Sequence, residues 1–292
     1  MPYEYFAKRE DPEFNGFSVA PVSGALGAFI SDIDITESIN EDTAQELRDA
    51  LVHYMVLFFR DQPLQPAAHV RFAEVFGEVQ MGGTIPRLEE QPEIKKQEYT
   101  SQSQVSGDVN MHADDTFVEM PSRCSILHGV KMPQAGGDTI WVNCEAAYDA
   151  LSDPMKQLLE PLEAEHNLSA KFGNVAPGVE DPEMKVKIYN HYPPVTHPVI
   201  RSHPVSGRKC IYVNEMVTSR IIGLEPDESD VILNYLIDHL KKPIFQCRLH
   251  WEDDTVVVWD NRATQHQVLA DFQPSYRLNQ RIAIKDDVRP QH

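Results

Sequence analysis

The sequence predicts a mainly β protein with helical insertions, built on a jelly-roll, cupin-like sandwich. Apolar runs of strand length fill its middle and end, and helical patterns fall before and between them. No internal repeat, low-complexity tract or obvious linker divides the 292 residues. That length admits one large domain or two, because sandwiches and barrels of this size are often single units. Residues 1–292 are therefore expected to form one domain. A general α+β domain is the competing reading of the same pattern.

Residues 17–36 predict two short strands around Ser23-Gly24-Ala25-Leu26-Gly27. A helix follows, capped by Asn40, with Glu41 and Asp42 at its positive end and Ala44, Leu47, Leu51 and Tyr54 on its apolar face. Met55-Val56-Leu57-Phe58-Phe59 reads as a buried strand, stopped by Arg60-Asp61-Gln62-Pro63. A second helix should run from Pro66 to Gly77 with Val70, Ala73 and Phe76 inward. Residues 80–110 are polar and suit an irregular lid, as do the Gly-, Pro- and charge-rich residues 172–195. Between them, Thr139-Ile140-Trp141-Val142 predicts a strand leading to a helix around Ala146, Ala147 and Leu151. Val199 to Val213 predicts a hairpin turning at Ser206-Gly207, and Pro226 opens a helix with Val231, Tyr235, Leu236 and Leu240 inward. Strands are expected near 245–250, 255–259 and 277–284.

A formal charge of −19 argues against a general nucleic-acid binder or an anionic membrane partner. It also repels acids at long range, so any acidic ligand needs local Arg or Lys. Four widely spaced cysteines, Cys124, Cys144, Cys210 and Cys247, read as buried free thiols. No apolar leader and no run of transmembrane length is evident, so the expectation is a soluble, cytoplasmic protein.

His112 and Asp114 are the most telling residues. On an extended segment, residues two apart face the same way, which brings an imidazole and a carboxylate together. A third ligand, His266, is available far downstream. Two His and one carboxylate with open positions is the facial arrangement of non-heme Fe(II) oxygenases. Alone, His-x-Asp is more often a surface or core pair than a metal site. Arg277 and Arg281 lie four apart on a predicted strand, on one face, roughly 13 Å apart at ~3.3 Å per residue. Two such cations are costly in a core unless anions meet them, either an incoming acid or Asp260, Asp271 or Asp286.

Together, His112, Asp114, the Gly136-Gly137-Asp138-Thr139 segment, Trp259-Asp260-Asn261-Arg262, His266, Arg277 and Arg281 resemble the taurine/2,4-D dioxygenase family of Fe(II)/2-oxoglutarate-dependent oxygenases. The resemblance spans roughly residues 17–286 and implies a double-stranded β-helix. It implies that His112, Asp114 and His266 hold Fe(II), and that Thr139 and Arg277 bind the distal carboxylate of 2-oxoglutarate. Arg281 would reach the acidic group of the primary substrate or brace the cosubstrate, and Asn110 would line the substrate pocket. With O2 as the second cosubstrate, the reaction would yield succinate and CO2. An intact Asp114 favours oxygen insertion or desaturation over halogenation, for which related halogenases carry a small residue.

The chain departs from the taurine-type pattern after Phe76-Gly77-Glu78, where Val79-Gln80-Met81-Gly82-Gly83 lacks the substrate-binding His. Taurine itself is thus disfavoured. Met111 reads as packing, and Asp115 as either a contact for a cationic or hydroxyl group or a solvated cap. His69, His128, His197 and His203 read as packing or surface residues. The expected substrate is a small organic acid, hydroxylated with or without cleavage of a carbon–heteroatom bond. A hydroxylase or desaturase of an amino acid or secondary metabolite is the nearest alternative, and a non-catalytic jelly roll binding a metal or acid is the other. Homo-oligomerisation stays open.

Overall fold

In the computed structural model, which describes residues 11–81, 85–103, 110–171 and 181–292, the chain begins with the hairpin β1 (Ser18–Pro21) and β2 (Ala28–Ser31). Helix α1 (Glu41–Tyr54) starts where the Asn40 side chain accepts a hydrogen bond from Thr43 N, and ends on Met55 with φ of 65°. Then come β3 (Val56–Phe59), α2 (Pro66–Glu74), β4 (Lys95–Tyr99), β5 (Cys124–Lys131) and β6 (Thr139–Asn143). Two short helices, α3 (Cys144–Asp149) and α4 (Asp153–Leu159), lead to β7 (Glu163–His166). Helix α5 (Pro182–His191) and strands β8 (Val195–Pro198), β9 (Ile200–Ser202), β10 (Lys209–Ile211) and β11 (Thr218–Ile221) follow. The C-terminal part carries α6 (Pro226–Leu240), β12 (Gln246–Leu249), β13 (Thr255–Asp260), β14 (Thr264–Val268) and β15 (Arg277–Ile284).

Seven strands form a large sheet in the order β1-β2-β3-β13-β5-β15-β4, and β12-β6-β14 form a smaller one. Alternation along β13 shows how they stack. Val256 and Val258 join Leu47, Leu51 and Phe72 under α1 and α2 on the outer face of the large sheet. Val257 and Trp259 instead meet Trp141 of β6 and Cys247 and Leu249 of β12 between the sheets. A third layer, with Val142, Ala147, Ile211 and Leu236, covers the small sheet with α3 and α6. Both faces of β13 are therefore buried, which explains its unbroken apolar run. Two sheets face to face in this way make the jelly-roll core that the strand pattern predicted.

Three expectations need correction. Residues 80–110 are not irregular throughout, because β4 pairs with β15 as an edge strand. The segment 172–195 contains α5, whose start is capped by Asp181, its Oδ1 accepting from Glu183 N and Met184 N. On α6 the buried stripe is Ser229, Leu233, Leu236 and Leu240, while Val231 and Tyr235 are exposed. Residues 82–84, 104–109 and 172–180 of the expected lids lie outside the described residues. All four cysteines are buried free thiols, as expected. Among the described residues, no helix is long and apolar enough to cross a membrane.

Candidate active site

His112 and His266 are joined through their backbones. His112 N donates to His266 O at 3.0 Å and His266 N to His112 O at 2.7 Å, extending the small sheet one rung beyond β14. This sets the two imidazoles side by side, with centroids 4.3 Å apart. Two residues after His112 the chain turns, with Asp115 at φ of 57° and Val118 N donating to Asp115 O. Asp114 Oδ1 consequently lies 3.8 Å from His112 Nε2 and 3.7 Å from His266 Nε2. All three residues are buried, and one ligand atom from each falls within 4.8 Å of the others. His112 and Asp114 do converge as their i, i+2 spacing predicts, although a turn rather than a strand delivers the carboxylate.

Protonation suits a cation at this point. His112 Nδ1 donates to Asn110 O at 2.7 Å, which turns Nε2 toward the triad. Burial, and then His112 alongside, push His266 down to about 3 against the pull of Asp114, so its imidazole is neutral. Burial alone would raise the Asp114 carboxyl, but Arg281, His266 and His112 hold it well below the usual carboxylate range. Two imidazoles and one carboxylate are the donor set that a divalent transition metal takes, so the residues fit the implied metal.

The other oxygen of Asp114 is clamped. Oδ2 accepts from Ser125 Oγ at 3.0 Å and meets Arg281 Nη2 at 2.5 Å. Asn261 donates to Ser122 Oγ and Ser125 Oγ, and its Oδ1 accepts from Trp259 Nε1 at 2.9 Å and Asp114 N at 3.4 Å. The Trp259 ring also packs on His266, with centroids 4.9 Å apart. Trp259 thus bridges core and site. The sequence reading gives neither Ser125 nor Asn261 an individual role at the site. The available signal was parity, because Ser125 alternates with Cys124 and Ile126 and so must face inward on β5.

A pocket runs from this centre along the inner face of β15, lined by Thr139, Trp141, Trp259, His266, Arg277 and Arg281 among others. Arg277 Nη1 donates to Gly137 O at 2.7 Å, and its guanidinium lies 5.3 Å from the Phe272 ring and 5.8 Å from that of Trp251. The glycine is required there, because φ is +71° and a Cβ would stand 2.9 Å from Arg277 Nη1. Thr139 Oγ1 accepts from Trp251 Nε1 at 2.9 Å.

The acids considered as partners for these arginines serve elsewhere. Asp260 binds Arg262 and His203, Asp271 accepts from Gly137 N, and Asp286 lies 3.7 Å from Arg123. Of Asn110, the backbone carbonyl engages His112. Met111 is buried in the layer under α3 and α6. His69, His128, His197 and His203 are all buried, and none belongs to the triad.

Residues 18–283 match the family model described as "Taurine catabolism dioxygenase TauD, TfdA family". The chain belongs to this family. It is 33% identical over 273 residues to the "Alkylsulfatase" of Acinetobacter baylyi, covering 91% of this chain and 84% of that one. It is 30% identical over 274 residues to the "Alpha-ketoglutarate-dependent sulfate ester dioxygenase" of Pseudomonas putida, covering 92% and 90%. The structure of a taurine dioxygenase from Burkholderia xenovorans superposes with a TM-score of 0.80 at 30% identity, covering 94% and 93%. This TauD/TfdA member is an enzyme, a 2-oxoglutarate-dependent dioxygenase, and the family implies a metal and 2-oxoglutarate.

Proposed function

We propose that this enzyme uses Fe(II), 2-oxoglutarate and O2 to hydroxylate a small organic acid next to a heteroatom, with collapse of the product across the carbon–heteroatom bond. The observation that carries this reading is the asymmetric Asp114, one oxygen clamped by Arg281 and Ser125 and the other converging with two imidazoles. His112, Asp114 and His266 would hold the iron. When bound there, iron supplies the oxidation of 2-oxoglutarate to succinate and CO2 and the attack on a substrate C–H bond.

The chain's own residues handle charge and position. Arg277 offers the distal carboxylate of 2-oxoglutarate a planar fork fixed by Gly137 and two aromatic rings, with Thr139 as a second contact on the pocket wall. Trp141, Trp259 and Phe272 line the pocket and exclude water from it. Arg281 keeps Asp114 ionised and oriented through Oδ2.

For the substrate, similarity to an alkylsulfatase and a sulfate ester dioxygenase supports an acid bearing a C–O–S or related linkage. A hydroxyl placed on the linking carbon would expel the oxyacid and leave a carbonyl. Taurine is disfavoured by Gly82 and Gly83, which lie outside the described residues.

Anaerobic addition of Fe(II) and then 2-oxoglutarate should give a weak visible charge-transfer band, absent from His112→Ala. Succinate release should then pick out an acid from a panel of sulfate esters, sulfonates and aryloxy acids. Absence of the band with iron fully loaded would sink the dioxygenase reading.

A further inference from the structure

Edge strand β4 brings a cation to the site that no motif in the sequence marks. Its register with β15 sets Lys95 opposite Arg281, Gln97 opposite Asn279 and Tyr99 opposite Arg277. Residues two apart on a strand share a face, and Gln97, Tyr99, Asn279 and both arginines line the pocket. Lys95 therefore stands on the pocket face, at the metal end of the row. The neighbouring Lys96 points the other way and pairs with Glu98 at 2.7 Å on the outside.

Lys95 is only 6% exposed. A buried ammonium is costly unless an anion meets it. Among the described residues, no carboxylate oxygen lies within 4.0 Å of its Nζ. Arg281, its neighbour across the ladder, is committed to Asp114. Burial and then Arg281 pull the amine below its ordinary range, while Asp115 and Asp114 pull the other way. Tyr99 and Arg277 lie four residues along the ladder from Lys95 and Arg281, roughly 13 Å at ~3.3 Å per residue. A 2-oxoglutarate whose distal carboxylate sits at Arg277 thus leaves Lys95 for a second anion.

We propose that Lys95 is a specificity-determining residue that binds the oxyanion of the primary substrate at the metal end of the pocket, beside Arg281. The assignment rests on the dioxygenase reading above. It commits the substrate to an acidic group close to the carbon that is oxidised, since the three metal ligands adjoin the same end of β15.

Lys95→Met keeps most of the stem and removes the charge, whereas Lys95→Arg keeps the charge. Calorimetry on the full chain loaded with Mn(II) and 2-oxoglutarate, without O2, would measure binding of hexyl sulfate, hexanesulfonate and phenoxyacetate. The neutral probes are 1-hexanol and 2-phenoxyethanol. Lys95→Met should weaken whichever acid the unaltered protein binds by about 10- to 100-fold, the usual loss of a charged hydrogen bond. Its affinity for the neutral probes and for 2-oxoglutarate should stay within about twofold, and Lys95→Arg should restore most of the acid binding. Equal losses for acid and alcohol would assign Lys95 a packing role. Equal losses for acid and 2-oxoglutarate would assign it to the cosubstrate, and no loss would remove it from recognition; each overturns the proposal. A protein that binds 2-oxoglutarate but none of the acids also overturns it, whereas failure to bind 2-oxoglutarate overturns the dioxygenase reading itself.

Discussion

Asp114 and Asp260 are both buried carboxylates surrounded by histidine and arginine, yet they are built for different ends. Each is held well below the usual carboxylate range: burial works against ionisation, and the neighbouring arginine and histidines outweigh it. At Asp260 both oxygens are filled. Oδ1 accepts from the backbone and Nε of Arg262, and Oδ2 from Arg262 Nη2 and His203 Nε2, all at 2.6–3.0 Å. At Asp114 only Oδ2 is filled, while Oδ1 stands 3.7 and 3.8 Å from two imidazole nitrogens. Those distances are too long for hydrogen bonds and suit three ligands around one ion. What separates the proposed metal ligand from the structural ion pair here is one oxygen left facing two imidazoles.

Asparagine at each position preserves shape and removes charge, which makes the sharpest test of that contrast. Asp114→Asn should lose stoichiometric metal and about 1,000-fold or more of turnover. Asp260→Asn should still bind one metal per folded chain. Because Arg262 and His203 would be buried beside a neutral amide, it should lose about 3–5 kcal/mol of unfolding free energy in urea. If both variants lost metal equally, the distinction between the two carboxylates would collapse.

A smaller effect separates the two pocket arginines. Arg281→Ala frees Oδ2 of Asp114 and should weaken metal binding about 10- to 100-fold, as loss of an outer-shell partner does. It should also weaken the acidic substrate more than 2-oxoglutarate. Arg277→Ala should do the reverse, raising the Kd for 2-oxoglutarate about 10- to 100-fold with metal affinity little changed. Equal effects of both substitutions on both ligands would remove this division of labour.

Much of this arrangement was legible in the sequence, and the rest was hidden for definable reasons. The buried run at β13, the cap at Asn40, the helix start at Pro66, and the spacing of Arg277 and Arg281 are local signals that tertiary context left intact. Lys95 was not legible, because the polar run Lys95-Lys96-Gln97-Glu98-Tyr99 alternates faces with no apolar marker to show which side is in. Pairing with β15 decides that, and pairing is non-local. On α6, Val231 and Tyr235 look like core but fall outside the stripe that Ser229, Leu233 and Leu236 bury. A small Ser229 in that stripe lets Oγ accept from Ile221 N, a contact no helical pattern announces.

The mildest expected effect concerns a third His–Asp grouping, which tests whether burial of imidazoles alone has any functional meaning. His69 is fully buried on α2, edge-on to His128, whose Nε2 lies 3.2 Å from Asp254 Oδ1. Burial, and then His128, push His69 from 6.5 down to about 3. It is as neutral as His266, but no carboxylate oxygen joins it in a metal-binding group among the described residues. Its effect is therefore on stability. Below pH 6.5 the unfolded chain takes a proton on this residue and the folded chain does not. Stability present at neutral pH is thus lost as pH falls toward about 3, by roughly 1.4 kcal/mol per pH unit. His69→Leu removes that contribution. Urea midpoints measured at pH 7 and 5.5 should differ less in His69→Leu than in the unaltered protein, while metal and 2-oxoglutarate affinity stay the same. An unchanged pH slope would mean that His69 is already protonated in the fold, and a loss of metal would mean that the burial of this third group matters to the site after all.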